Sequence, residues 1–158
     1  MATITAQLTV NSDITDYGLG INKTMTMTKA GTNNGLDRTT GVQRVYLTDT
    51  KHIDLAKGGL ANTNLADMTL SASAKVYIKY LEDDTSKFVR IGLGNEADGT
   101  TATANNGDGT HFEIGRLYGN EWMIIPWNGA SNVGDITVQP SVATSADKAI
   151  VEYIVFFE

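Results

Sequence analysis

Two histidine–carboxylate pairs are the residues of this 158-residue sequence best suited to acid–base or metal chemistry. His111 and Glu113, like His52 and Asp54, stand two positions apart, so each pair would share one face of a β-strand. A hydrolase built on His111 and Glu113 would need a further ligand, and the sequence names none. No serine stands in a G-x-S-x-G turn, and no nucleophile is paired with a base. We therefore predict no catalytic residue, no bound metal and no enzymatic activity.

A glycine motif at residues 92–97 (GLGNEA) matches the G-x-G-x-x-G/A fingerprint of dinucleotide-binding proteins. The fingerprint holds a pyrophosphate only where a helix begins directly after it, because the helix N-terminus supplies the N–H donors. Residues 98–101 (DGTT) do not start a helix. The motif therefore predicts a turn, and we expect no cofactor.

Oxygen-bearing side chains in the glycine-rich segment 94–110 are candidate calcium ligands. They are Asp98, Asn105, Asn106 and Asp108. Their spacing does not match an EF-hand, in which oxygens alternate and a bidentate acid closes the site. The segment therefore predicts a long solvated loop. The acidic run at 82–84 similarly predicts a solvated hairpin tip rather than a metal or catalytic pair.

Aromatic side chains supply the one alternative binding chemistry, because flat rings stack on the apolar faces of sugars. The rings in question are Tyr80, Tyr118, Trp122 and Trp127. A carbohydrate-binding module would expose Trp127 or Tyr118 to solvent. Both tryptophans instead stand in the compact apolar segment 122–127, where large rings are usually buried. We therefore predict that Trp122 and Trp127 lie in the core or in a subunit interface.

The elements that must position these residues are all β-strands. The candidate strands are 3–10, 21–28, 42–47, 52–55, 75–81, 87–93, 111–117, 122–127, 135–139 and 149–158. Turn-forming residues separate most of them at intervals of about 8–12 residues, which is typical of a β-sandwich or barrel. Polar turns at 49–51 and 82–86 predict hairpins between the strands that they join. We predict one antiparallel β-sandwich domain over residues 1–158, of which the jelly roll is one form.

Composition excludes several classes of function. Lys and Arg number 12 and Asp and Glu 18, so the net charge is -6 and a nucleic-acid partner is not expected. No apolar run approaches the roughly 20 residues of a membrane span. The first residues lack the cationic start and apolar stretch of a secretory signal. The absence of cysteine excludes disulfides and thiolate metal sites.

The two ends of the sequence both have strand character. Residues 3–10 alternate apolar and polar side chains, as a half-buried strand does. Residues 149–158 are β-branched and aromatic, which favours a central strand that is buried on both sides. The core or interface candidates are therefore Ile4, Leu8, Trp122, Trp127, Phe156 and Phe157.

A series of short motifs runs through the second half of the sequence. A Y-I-K strand at 77–79 is followed by F-V-R-I-G at 88–92, a glycine turn at 119–121, I-I-P at 124–126 and V-E-Y at 151–153. In this order, residues 75–158 resemble small β-sandwich virion proteins of tailed bacteriophages. Those proteins usually carry Asn after the Y-I-K motif, where this sequence has Tyr80.

The resemblance implies a non-enzymatic structural protein of the virion, made in the host cytoplasm. Such a protein serves as a capsid decoration (cement) subunit or a tail-associated subunit. Its partners would be copies of itself and other virion proteins such as the major capsid protein. Exposed strand edges need cover, and residues 1–12 are the candidate inter-subunit arm. The alternative function is a carbohydrate- or host-receptor-binding β-sandwich, whose partner would be a host surface glycan.

Overall fold

A computed structural model describes residues 4–12, 19–29, 31–47, 53–54, 74–94, 111–127, 136–141 and 149–158. These ranges form eleven β-strands and no helix. The strands are β1 (Ile4–Ser12), β2 (Leu19–Met27), β3 (Arg38–Thr39), β4 (Gln43–Leu47), β5 (Ile53–Asp54), β6 (Ala74–Tyr80), β7 (Phe88–Gly94), β8 (His111–Tyr118), β9 (Trp122–Trp127), β10 (Ile136–Pro140) and β11 (Ala149–Phe157). Every pairing between them is antiparallel, so the all-β prediction is confirmed.

Strands β4 to β11 pair in a nested order. β4 pairs with β11, β5 with β10, β6 with β9, and β7 with β8. These are the pairings of one long antiparallel ribbon that doubles back between β7 and β8. Successive parts of the ribbon alternate between sheet 1, ordered β4-β11-β6-β9, and sheet 2, ordered β5-β10-β7-β8. Eight strands wound in this way form a jelly roll.

The core lies between the inner faces of the two sheets. Along β6 and β11 the residues alternate between buried and half-buried, because successive side chains of a strand point to opposite faces. Val151 and Ile78 of sheet 1 are fully buried with Ile91 and Val138 of sheet 2. Each such side chain contributes about 1.5–3 kcal/mol when it leaves water, which makes this cluster the main source of stability.

The predicted hairpins at 49–51 and 82–86 are wrong. β4 and β6 belong to sheet 1, whereas β5 and β7 belong to sheet 2. The chain therefore crosses between sheets at both places. A strand with one buried face has the same alternating pattern whether its neighbour in sequence lies beside it or across the core, so alternation does not choose between the two.

Two of the sheet-to-sheet connections meet at one end of the sandwich. The backbone N–H of Asn120 donates to the carbonyl of Tyr80 (3.1 Å), and the Asn120 side chain donates to Asp83 (3.2 Å). Gly119 is buried against the same connection, and a Cβ added there would lie 2.6 Å from the carbonyl oxygen of Glu82. Asp83 and Asp84 are exposed, as predicted, but the acidic run belongs to a connection between the two sheets and not to a hairpin tip.

β1 and β2 form a two-stranded antiparallel ribbon that pairs with neither sheet. The chain reverses after β2: Thr28 and Gly35 form an antiparallel bridge, the Leu36 N–H donates to the Met27 carbonyl (2.8 Å), and the Met27 and Leu36 side chains are buried. β3 and β4 then pair in succession along one edge of β11. The ribbon lies beside the outer face of sheet 1, because residues of both line the same recesses.

Candidate functional site: a cleft between the ribbon and sheet 1

The outer face of sheet 1 carries a polar row that crosses four strands. Strand register aligns Arg44 of β4 with Glu152 of β11, Glu152 with Lys79 of β6, and Lys79 with Trp122 of β9. The Arg44 Nε donates to the Glu152 carboxylate at 2.9 Å. Lys79 has neither an ion pair nor a hydrogen bond within the described ranges, so its ammonium group is available to a ligand.

An apolar row lies beside the polar one. It aligns Ile154 of β11 with Tyr77 of β6 and Tyr77 with Ile124 of β9. The Tyr77 and Trp122 rings lie 6.2 Å apart, centre to centre, and are tilted by 38°. They therefore form an angled aromatic corner rather than a stack.

The ribbon roofs these two rows without closing on them. Two recesses of about 470 and 340 Å³ lie between the ribbon and sheet 1, and both have Ala6, Gln7, Trp122 and Ile124 in their walls. The larger recess also contacts Tyr77, Lys79 and Glu152. The smaller recess is lined mainly by apolar groups, including Leu8 and Met25. We call the two recesses together the cleft.

The electrostatic environment of the cleft acts on Tyr77. Burial raises the pKa of its hydroxyl above the usual 10.0, and the negative charge of Glu152 raises it further. At neutral pH the hydroxyl is therefore protonated and can donate a hydrogen bond. Neither this hydroxyl nor the indole N–H of Trp122 has a hydrogen-bond partner in the part of the chain that the structure describes.

The six core or interface candidates lie in different parts of the molecule. Trp127 and Phe157 are buried in the core, at 4% and 7% exposure. Phe156 is half-buried and lines the larger recess, and Trp122 lines both recesses with 48% of its surface exposed. Ile4 is half-buried at the end of the ribbon where β1 meets Met27, and Leu8 is exposed farther along it.

The four rings considered for sugar stacking do not form one platform. Tyr80 and Trp127 are buried in the core. Tyr118 is exposed, but it belongs to β8 of sheet 2. Of the four, the cleft contains only Trp122, together with Tyr77, which the sequence analysis did not select.

The ribbon has one apolar and one polar face. Leu8, Val10, Ile21 and Met25 share the apolar face with Lys23, which pairs with Leu8, and the four apolar side chains remain between 37% and 46% exposed. The opposite face carries mainly threonine and asparagine, with the Gln7 side chain donating to Asn22 at 3.1 Å. The alternation in each strand was visible in the sequence, but the pairing that joins the two apolar stripes was not.

Glu113, a candidate metal ligand or base, is committed to two arginines. The Arg116 Nε donates to its carboxylate at 2.6 Å, and the Arg90 Nε lies 3.6 Å from the other oxygen. The bond to Glu113 also raises the pKa of Arg116 above its ordinary value. This pairing favours a structural role for Glu113 over a catalytic one.

Several other candidates have little or no structural description. Gly92 and Gly94 of the glycine motif lie within strand β7. The side chains of His111, His52 and Asp54 and the segment 95–110 lie outside the described residues. Among the described side chains, no group of three or more His, Asp or Glu could hold a metal ion. The described ranges also contain no helix that is long and apolar enough to cross a membrane.

The residues missed by sequence reasoning are Tyr77, Lys79 and Glu152. Their alternation with buried neighbours marks them as outer-face residues, but only the register with β9 and β11 aligns them. No protein-family model matches the chain, and no curated protein matches it. Function is therefore inferred from the fold and the geometry of the cleft and ribbon.

Proposed function

We propose that this protein is a non-enzymatic structural subunit of a bacteriophage virion and that it assembles with copies of itself through the β1–β2 ribbon. The observation that carries the proposal is the apolar face of the ribbon. Its four large side chains, Leu8, Val10, Ile21 and Met25, remain between 37% and 46% exposed. An exposed apolar face of this size is typical of an interaction surface.

The physics of a two-stranded ribbon supports assembly. An isolated hairpin is at best marginally stable in water, and a further layer on its apolar face stabilises it. Covering the exposed part of each of the four side chains would contribute on the order of 1 kcal/mol. A second copy brings an identical apolar face, so two ribbons packed about a twofold axis would cover each other.

Two further features support a role in the virion. The jelly roll is a common fold of viral capsid domains, although a fold alone does not decide function. The motif order of residues 75–158 is similar to that of phage β-sandwich virion proteins. The protein would be made in the host cytoplasm and would join the particle as a capsid decoration or tail-associated subunit, in contact with other virion proteins.

Light scattering coupled to size-exclusion chromatography tests the assembly step. We expect the full chain to form a symmetric oligomer, and a variant with Leu8→Thr, Val10→Thr, Ile21→Thr and Met25→Thr to be a folded monomer with a lower melting temperature, because the stabilisation from association is lost. Threonine keeps the strand preference of these positions while removing apolar surface. Because each copy carries a charge of -6, added salt should strengthen an oligomer that is held by apolar contacts.

A matched control changes the other face of the ribbon. Thr5→Ser, Thr9→Ser, Thr24→Ser and Thr26→Ser alter four polar-face residues and should leave the oligomer intact. A wild-type chain that stays monomeric at all concentrations and salt levels would overturn the proposal. An unchanged oligomer of the apolar-face variant would exclude the ribbon as the interface.

A further inference from the structure

The cleft borders the apolar face of the ribbon, since Leu8 and Met25 line the smaller recess, and its larger recess offers a second chemistry. We propose that the larger recess binds an uncharged pyranose saccharide, with one sugar face on the Trp122 ring and the hydroxyl groups toward Lys79, Tyr77 and Glu152. This inference rests on the walls of the recess and does not depend on the proposed virion role.

Unused hydrogen-bonding groups identify the chemistry of the ligand. The Lys79 ammonium, the Tyr77 hydroxyl and the Trp122 indole N–H have no hydrogen-bond partner in the described part of the chain. An apolar side chain seated in the recess would leave these donors without water or partner, which is unfavourable. A sugar hydroxyl accepts from such donors and can also donate to the Glu152 carboxylate.

The aromatic corner favours a ring with one apolar face. Trp122 is 48% exposed and borders the recess, and the Tyr77 ring meets it at a tilt of 38°. Rings with an apolar face and a polar edge suit ligands that are apolar on one side and hydroxylated around the rim. Thr5 and Gln7 of the ribbon, both with polar side chains, also line the recess.

The size and charge of the recess agree with a short saccharide. Its volume of about 470 Å³ is within the range of small-molecule sites. Arg44 neutralises Glu152 at 2.9 Å, so the floor does not present an uncompensated negative charge. Donors and an acceptor are both present, which matches hydroxyl groups better than a purely anionic or purely cationic ligand.

The experiment is an array of immobilised short saccharides probed with the full chain, followed by calorimetric titration of the soluble form of any saccharide that binds. Trp122→Ala should weaken that binding roughly tenfold or more, because the stacking face is lost. Trp122→Phe keeps a ring and should weaken binding less. Lys79→Met keeps the shape of the side chain but removes the donor, and it should weaken binding about fivefold.

Tyr118→Ala is the matched control, because Tyr118 is an exposed ring on sheet 2, outside the cleft. It should leave saccharide binding unchanged. Binding to no saccharide on the array, or binding that Trp122→Ala does not weaken, would overturn the cleft as a sugar site. Light scattering on the same samples reports oligomeric state separately, so loss of binding and loss of assembly are distinguishable.

Discussion

The outer faces of the two sheets differ in how their charged groups are arranged. On sheet 2, Glu113 lies between Arg90 and Arg116, and the Arg116 guanidinium lies 4.8 Å from the centre of the Phe88 ring. On sheet 1, Lys79 and the Tyr77 hydroxyl have no such partners among the described residues. The Arg90 Nε is buried without a hydrogen-bond partner, so the sheet 2 cluster is held by charge and not by complete hydrogen bonding. On sheet 1 the unused donors border the recess beneath the ribbon, where a ligand can reach them. The same jelly roll thus has one face with a compact charge cluster, on sheet 2, and one receptive face, the outer face of sheet 1.

The largest expected effect comes from disrupting the contact between Gly119 and the connection at residues 82–84, which joins the two sheets. Gly119→Ala would place a Cβ 2.6 Å from the Glu82 carbonyl oxygen and 2.9 Å from that of Asp84. Both contacts are with backbone, which cannot rotate away, so we expect a loss of about 3 kcal/mol in the free energy of unfolding. Urea denaturation measures this change in the free energy of unfolding.

Gly115→Ala is the control for Gly119→Ala. Gly115 lies on β8, and a Cβ added there meets no atom within 4 Å. Its stability should be unchanged or slightly higher, since alanine restricts the unfolded chain. Equal stability of the two variants would show that Gly119 is not tightly packed against the connection.

A smaller effect tests whether the Glu113 carboxylate stabilises the outer face of sheet 2. Register sets Arg90 directly opposite Arg116, an arrangement of like charges that destabilises a sheet unless it is compensated. Glu113→Gln removes the compensating charge while keeping the shape, and we expect a loss of about 1–2 kcal/mol by urea denaturation. Glu152→Gln on sheet 1 should cost about 0.5 kcal/mol or less, because its partner Arg44 is largely exposed. Equal losses in the free energy of unfolding for Glu113→Gln and Glu152→Gln would contradict the proposed difference between the two faces.

The fold class was accessible from the sequence because strand alternation is a local property. Each of the ten predicted strands overlaps one of the eleven observed, and the two-residue strand β3 is too short to show a pattern. The jelly-roll order was not accessible, since it depends on which strands pair across long separations. The hairpins predicted at 49–51 and 82–86 failed for this reason.

The two polar clusters depend on register, which the sequence does not display. Glu113 and Arg116 are three residues apart and would normally point to opposite faces of a strand. An irregularity in the register of β7 and β8, between Ile91 and Gly92, brings the two side chains together. Likewise, Lys79 and Trp122 are adjacent only because β6 pairs with β9.

The smallest expected effect concerns the receptive face and is a change in the pKa of the Tyr77 hydroxyl. The pKa of Tyr77 is raised by burial first and by the charge of Glu152 second, whereas that of Tyr153 is raised by burial alone. Glu152→Gln should therefore lower the pKa of Tyr77 slightly, toward but not down to 10.0, and leave Tyr153 unchanged. NMR titration of the tyrosine rings distinguishes the two.

The direction of the pKa shift determines the pH range over which ionisation of Tyr77 affects stability. A tyrosine with a raised pKa in the folded state favours folding below its unfolded pKa, and the contribution is lost as pH rises through the folded value. For Tyr77 this window begins near pH 10.0 and extends upward. Glu152→Gln should lower the upper end of this pH range for Tyr77 only, because it lowers the folded-state pKa of Tyr77. An equal shift of both tyrosines would mean that the substitution loosened the sheet, and the charge of Glu152 would then not be the cause of the raised pKa in the cleft.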